Sequence, residues 1–381
     1  MYDIRDQDRF GYYLTSNNQK FYNKIECIFF CESQGLDFRW VFNDEYYDKI
    51  DWSVEPTPTI GELYARRARE LREKYDYLIL HLSGGNDSGA ILETFALNNI
   101  KLDEVVMCCP ETSVITDPNP NDKSAANTWA EVSLCAIPNA QYVKDHFQPG
   151  LRITVRETKK ISIEMLSTSD WFESGHNDLD AAGKYRSNFN LLDPRYRRMH
   201  DQGKTVAHID GVEKPKFVKR SNQLGIIFED SALHRRSPSG DKPNEFCYTE
   251  HFFWAPSCAE MICKQGHLIL NVLRGMPNGK QIVTNLLIEN HGTRFVEDWV
   301  AKLIYPNRLL PKWDTEKSAN SVIREYYQWF NNAQDMYFFK NWKMGMDHLN
   351  TVIPKKYLKT NSIYGGGFKD KVSKLRILGN I

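Results

Sequence analysis

The sequence predicts an α/β fold: a doubly wound parallel sheet, preceded by an N-terminal extension and followed by a helical C-terminal domain. Three observations carry that expectation. Asp76-Tyr77-Leu78-Ile79-Leu80-His81-Leu82 is a short, mostly apolar run, which is how a strand buried on both faces reads. A turn of small residues and an apolar helical pattern follow it, and 103–109 repeats the strand signal. Residues 76–109 therefore read as a βαβ unit with a right-handed crossover. Further along, Thr205-Val206-Ala207-His208-Ile209-Asp210 supplies another buried strand, whereas much of the chain beyond 244 has helical spacing. The expected division is an α/β extension over 1–58, a core domain over 59–233 and a mainly helical domain over 244–381. Loop composition at 234–243 separates the last two.

The elements follow in order. Residues 18–31 read as a helix, and 38–42 as a strand with alternating faces. Pro56 and Pro58 punctuate, and Thr59-x-x-Glu62 is a capping-box pattern. Ile60, Leu63, Tyr64 and Leu71 then give the next helix its apolar stripe. Arg66, Arg67, Arg69, Glu70, Arg72 and Glu73 crowd its outer face, most simply as a solvated ladder of i,i+4 pairs. After the 76–82 strand, Ala90, Ile91, Phe95 and Leu97 mark a helix ending near Asn98-Asn99. A polar loop after Cys109, a helix over 124–137 and a strand over 151–155 come next. Residues 160–200 look helical in part and carry Lys184, Arg186, Arg195, Arg197 and Arg198, either a solvated face or the border of a ligand. Residues 217–228 read as a hairpin turning at 220–223, and Pro256-Ser257 starts a helix over 258–273. Aromatic-rich helical segments such as 296–300 and 326–330 suit a core. A glycine turn at 364–368 precedes a basic tail.

Composition fits a core domain plus a second region, since 381 residues exceed the ~100–200 of a single domain. Lys plus Arg and Asp plus Glu are 49 each, so no global field draws the protein onto nucleic acid. No stretch has the length and apolarity of a membrane span, and the start does not read as a signal peptide. The eight cysteines form no C-x-x-C pair and read as reduced thiols of a cytoplasmic protein. Metal-cluster chemistry is not expected from them, and no H-E-x-x-H spacing occurs.

The turn after the first strand is Ser83-Gly84-Gly85-Asn86-Asp87-Ser88. Its glycines let main chain close around a ligand, its serines add hydroxyl donors, and the following helix presents a positive dipole end. Such a turn is an anion site, usually for phosphate. It is no Walker loop, because it lacks the Gly-Lys-Ser/Thr end; the Gly203-Lys204-Thr205 stretch has Arg198, not Gly, five residues earlier. The G-x-G-x-x-G dinucleotide pattern also fails, since Gly84 and Gly85 are adjacent.

The Ser-Gly-Gly-x-Asp-Ser pattern closely resembles the PP-loop of the ATP pyrophosphatases, which include asparagine, GMP and NAD synthetases and tRNA thiolation and lysidine enzymes. The resemblance covers about 60–230. The chain also resembles asparagine-synthase-like proteins of tailed phages and marine bacteria, for which the compartment would be the host cytoplasm. The resemblance implies an adenine nucleotide alpha hydrolase-like fold and an AMP-forming ligase with ATP and Mg²⁺ as cofactors. Ser83, Gly84, Gly85, Asn86, Asp87 and Ser88 would bind ATP and its pyrophosphate, with Asp87 also placing Mg²⁺.

In a doubly wound sheet ligands gather at the strand carboxyl ends, so Asp210, Glu213 and Lys214 are expected to face the 83–88 turn. Lys214 would neutralise leaving pyrophosphate and a carboxylate would hold Mg²⁺. Asp87 and Lys214 are thus the catalytic candidates. Glu260, Lys264 and His267 fall at i, i+4 and i+7 of an otherwise apolar helix, either a solvent-facing stripe or the wall of a substrate pocket. The leading expectation is adenylation of a carboxylate or amide oxygen of a small-molecule acceptor, followed by attack of ammonia or an amine. The chain begins Met1-Tyr2-Asp3, without the N-terminal Cys of a glutaminase, so ammonia is expected free or from a separate donor. A homo-oligomer remains open. A second expectation is nitrogen or sulfur insertion into a nucleobase, nucleotide, tRNA or DNA, supported by basic residues at 195–198 and 216–220. A third is a nucleotide-binding protein without turnover.

Overall fold

The computed structural model describes residues 8–109, 132–157, 193–211, 215–230, 247–275, 286–288, 292–294, 303–305, 310, 337–362 and 367–381. Near the N-terminus, β1 (Tyr12–Thr15) pairs antiparallel with β2 (Lys20–Phe21). Helix α1 spans Lys24–Gln34, a correction to the expected 18–31. The Asn23 side chain accepts the N–H groups of Ile25 and Glu26 and so starts the helix late, while Gly35, at φ +64°, ends it. Strand β3 (Phe38–Val41) pairs with β1, and the short α2 (Asp44–Tyr47) follows. Helix α3 (Ile60–Lys74) carries the expected capping box: Thr59 Oγ1 accepts the Glu62 N–H at 3.2 Å, and the Thr59 N–H donates to the Glu62 carboxylate at 2.7 Å. Its outer face is not wholly solvated, however. Arg67 is buried and donates to the Glu250 carboxylate at 2.9 Å.

The core sheet begins with β4 (Tyr77–His81), followed by α4 (Asn86–Leu97), β5 (Glu104–Cys109), α5 (Ile137–His146), β6 (Arg152–Glu157), α6 (Pro194–Asp201) and β7 (Val206–Asp210). The hairpin β8 (Lys216–Arg220) and β9 (Gln223–Ile227) comes next, then β10 (Tyr248–His251). Five of these strands form one parallel sheet in the order β10-β7-β4-β5-β6. Counted along the chain that order is 5-4-1-2-3, so the winding reverses between β4 and β7. Helices cover both faces. Leu78, Leu80, Val105, Met107, Ala207 and Ile209 join the main core with α3, α4 and α5. Ile79, Val106 and Val206 form a second cluster under Tyr196 of α6. The α/β class and the parallel sheet flanked by helices are therefore as expected.

The helix expected over 124–137 differs at its end, and 124–131 lies outside the described residues. Helical turns run from Val132 through α5 to His146, because Ala140 and Val143 extend the buried stripe. Pro138 does not break them; it stands where the wider π-type turn of Val132–Ala136 passes into the regular helix α5.

The described part of the C-terminal region holds two long helices and, beside them, strands that the helical expectation did not include. Helix α7 (Ala259–Gly275), β11 (Leu286–Ile288), β12 (Gly292–Arg294), α8 (Tyr337–Val352) and β13 (Arg376–Asn380) follow in order. An antiparallel sheet runs β11-β12-β8-β9-β13, so the basic tail is a strand and the expected hairpin sits in its midst. Gly266 allows α7 to lie close on this sheet, since a Cβ there would stand 2.4 Å from Leu378 Cδ1. The division at 233/244 is not the one the strands follow: β10, beyond it, edges the parallel sheet, and β8 and β9, before it, pair with β12 and β13. Nor is the N-terminal region an appendage. Lys24 and Tyr13 reach the buried Asp230 carboxylate at 2.7 and 2.8 Å, and Arg9 reaches Glu250 at 2.8 Å. Six cysteines, at 27, 31, 135, 247, 258 and 263, are free and buried. Among the described residues no helix is long and apolar enough to cross a membrane. The segments 296–300 and 326–330 lie outside the described residues.

Candidate functional site

The 83–88 turn leaves the carboxyl end of β4 and opens α4, beside the reversal between β4 and β7, where ligands of doubly wound sheets gather. Gly84 has φ +90°, a conformation an L side chain resists. Gly85 is the extended N-cap, and no side chain of the described residues caps the helix there. The first amides of α4 thus point outward with the positive end of the helix dipole. Inside the turn, the Ser83 N–H donates to Ser88 Oγ at 3.2 Å, the two hydroxyls lie 3.2 Å apart, and the Gly85 N–H donates to Ser83 Oγ at 3.3 Å. Ser88 is buried and Ser83 exposed, so one hydroxyl braces the turn and the other meets solvent. Asn86 and Asp87 occupy the first two helical positions, both partly exposed.

The end of β7 meets this turn directly. A Cβ on Gly211 would stand 3.1 Å from Ser88 N, 3.1 Å from Ile91 Cδ1 and 3.2 Å from Asp87 C. Gly211→Ala is therefore expected to push the 83–88 turn by a few tenths of an ångström. Nucleotide affinity should fall several-fold while the melting temperature barely moves; calorimetric titration with Mg·ATP, beside a thermal melt, checks this. Asp210 closes β7, and its carbonyl accepts the Phe252 N–H at 3.0 Å. Glu213 and Lys214 lie outside the described residues.

The polar stripe of α7 meets protein groups. His267 is buried with Nε2 3.0 Å from the Trp52 carbonyl, which makes Nε2 the donor. Lys264 reaches the Glu55 carboxylate at 2.7 Å and the Pro56 carbonyl at 2.9 Å, and Glu260 pairs with Arg66. The Lys264 hydrogen bond, against a smaller opposing effect of burial, holds the Glu55 carboxyl below its ordinary value. These three residues fasten 52–56 and α3 to α7. In the basic run, Arg195 is held by Asp193 at 2.6 Å and Glu104 at 3.1 Å, whereas Arg197 and Arg198 are exposed; Lys184 and Arg186 lie outside the described residues.

Two features at the site carry no sequence signal. Tyr305 donates its hydroxyl to Asp87 Oδ1 at 2.5 Å, across 218 positions of chain. Burial, then the Asp87 charge, pushes this phenol well above 10, so it keeps its proton. His81 Nε2 lies 2.7 Å from His208 Nδ1. Burial, followed by the neighbouring His81, drives His208 well below 6.5 and keeps it neutral. Each histidine sits in an apolar strand, and only the pairing of β4 with β7 brings them together.

No group of three or more His, Cys, Asp or Glu side chains among the described residues could cage a metal. The turn suits a different mode, in which one or two carboxylates share Mg²⁺ with substrate phosphates. Asp87 on the turn and Asp210 at the adjoining strand end fit it. No protein-family model matches the chain, and no curated protein sequence matches it.

Proposed function

We propose that the protein is an AMP-forming ATP pyrophosphatase of the PP-loop type, asparagine-synthase-like in chemistry. The observation that carries this reading is the Ser83-Gly84-Gly85-Asn86-Asp87-Ser88 turn at the carboxyl end of β4, with Gly211, next after β7, packed on it. A carboxylate or amide oxygen of a small acceptor attacks the α-phosphorus of ATP, and the bond to the β-phosphate oxygen breaks. Pyrophosphate leaves into the turn, where the outward amides of α4 and the Ser83 hydroxyl meet its charge. Ammonia or an amine then displaces AMP from the acceptor. Bound Mg²⁺ would neutralise phosphate charge, held by Asp87 with Asp210. The rest of catalysis is positioning and preorganised charge.

Incubation with α-labelled ATP, Mg²⁺ and candidate acceptors tests the reading: AMP is expected, and ADP as the labelled product would remove it. Lys214, three residues past Gly211 in the sequence, is the proposed cation for the leaving pyrophosphate. A charge-assisted contact of ~1.5–3 kcal/mol that strengthens as the bond breaks acts on turnover. Lys214→Ala should lower kcat at least about tenfold, the lower end of that range. Lys216→Ala is the control, since Lys216 lies within β8 at 3.9 Å from the Glu229 carboxylate. An ATP complex with the Lys214 ammonium beyond ~8 Å from every phosphate, about a Debye length, would end that role.

A further inference from the structure

The chain spends two carboxylates of one helix on one distant segment. Glu93, fully buried on α4, accepts the Leu310 N–H at 2.8 Å, and Asp87, at the start of α4, accepts the Tyr305 hydroxyl at 2.5 Å. The residues around Tyr305 are anchored independently. Tyr64 of α3 donates to the Ile304 carbonyl at 2.7 Å, and Gln265 of α7 donates to the Tyr64 hydroxyl at 2.9 Å. Gln265, Tyr64, Ile304 and Tyr305 are all buried, and the Tyr305 ring lies 5.5 Å from that of Phe253. The phenol therefore reaches Asp87 from a fixed position.

The two carboxylates differ in what this fixing does. Glu93 is sealed, and its bond to Leu310 is an anchor. Asp87 is partly exposed, in the turn of the phosphate site, and an exposed carboxylate there would sample several rotamers. A hydrogen bond from a rigid partner removes that freedom. A carboxylate that meets a metal binds it more tightly when another group orients it, and losing that group typically costs about 10–100-fold in metal affinity.

We propose that Tyr305 is a positioning residue that orients Asp87 for Mg²⁺ and so sets the metal requirement of the nucleotide site. This rests on the phosphate-site reading of the 83–88 turn, but not on which ATP bond is cut.

The test is a calorimetric titration of the full chain with ATP at a series of Mg²⁺ concentrations, which needs no turnover. Tyr305→Phe keeps the ring and is expected to raise the Mg²⁺ concentration for half-maximal ATP binding about tenfold. Affinity at saturating Mg²⁺ should stay within about twofold, because the phenol touches Asp87 rather than ATP. In an Asp87→Asn background the same change should do nothing further, since residues acting through one another are non-additive. An unchanged or lowered Mg²⁺ requirement, or additive effects in the double variant, overturns the inference. Should Tyr305→Phe fail to fold, Tyr64→Phe, which releases the Ile304 carbonyl, must raise the same requirement, and no rise there overturns it equally. ADP as the nucleotide product, with the Tyr305 shift intact, would remove the pyrophosphatase reading and leave this inference standing. No ATP binding by the wild-type chain would remove both.

Discussion

Asp87→Asn will leave the fold intact and lower Mg²⁺-dependent ATP cleavage by about a hundredfold or more, the cost of removing one preorganised charge group from a reacting centre. The side chain sits at the second position of α4, partly exposed, and its contact with Tyr305 tolerates the amide, whose oxygen still accepts. The variant loses the negative charge and keeps the side chain's shape. Some helix-dipole stabilisation disappears with it, ~0.3–1 kcal/mol at an exposed first turn, too little to unfold the chain. Circular dichroism and AMP release measured side by side separate the two effects. Full turnover in the variant would make Asp87 a helix-start residue and nothing more.

Glu250→Gln is expected to cost about 3–5 kcal/mol of stability, the usual result of breaking a buried charge pair. Glu250 is nearly solvent-free at the edge of the parallel sheet, between Arg9 at 2.8 Å and Arg67 at 2.9 Å, with the Tyr75 hydroxyl donating at 2.5 Å. The glutamine keeps the shape but takes the shared negative charge from two buried guanidiniums, of which Arg67 keeps the Glu70 carboxylate at 3.3 Å. The pH dependence gives a second reading. Burial alone would raise this carboxyl, but the Arg9 and Arg67 charges and the Tyr75 hydrogen bond outweigh it and hold it at about 2, against an ordinary 4.5. A depressed folded-state pKa means stability present above 4.5 and lost as pH falls from there towards 2. Wild-type denaturation midpoints should drop across that window, and the glutamine variant should lose this part of the slope. Equal midpoints for the two proteins at pH 7 would make the cluster decorative.

What the sequence shows and hides here follows from chain distance. The 83–88 turn is legible because its causes are adjacent: a buried strand, small residues, a helix start. The Thr59/Glu62 capping box is legible for the same reason. Tyr248-Thr249-Glu250-His251 carries no strand signal, since its acid is tolerable inside only through arginines 241 and 183 positions away. The stripe of Glu260, Lys264 and His267 shows that polar groups on an apolar helix need partners. It does not show that Glu55, Pro56, Trp52 and Arg66 are those partners rather than a substrate. The C-terminal strands were missed because β11 and β12 are three residues each, too short for alternation to register. Tyr305 and Asp87 meet only once the whole chain has folded.

The most direct measurement is a crystal structure with Mg²⁺ and an ATP analogue whose α,β-bridge is methylene, so that the bond in question survives. The account predicts the β- and γ-phosphate oxygens within hydrogen-bonding distance, ~2.7–3.2 Å, of the main-chain N–H groups of the 83–88 turn. It also predicts the α-phosphate facing the gap between β4 and β7, with Asp87 on the metal. Phosphates bound elsewhere, or the 83–88 turn empty beside a bound nucleotide, would contradict it.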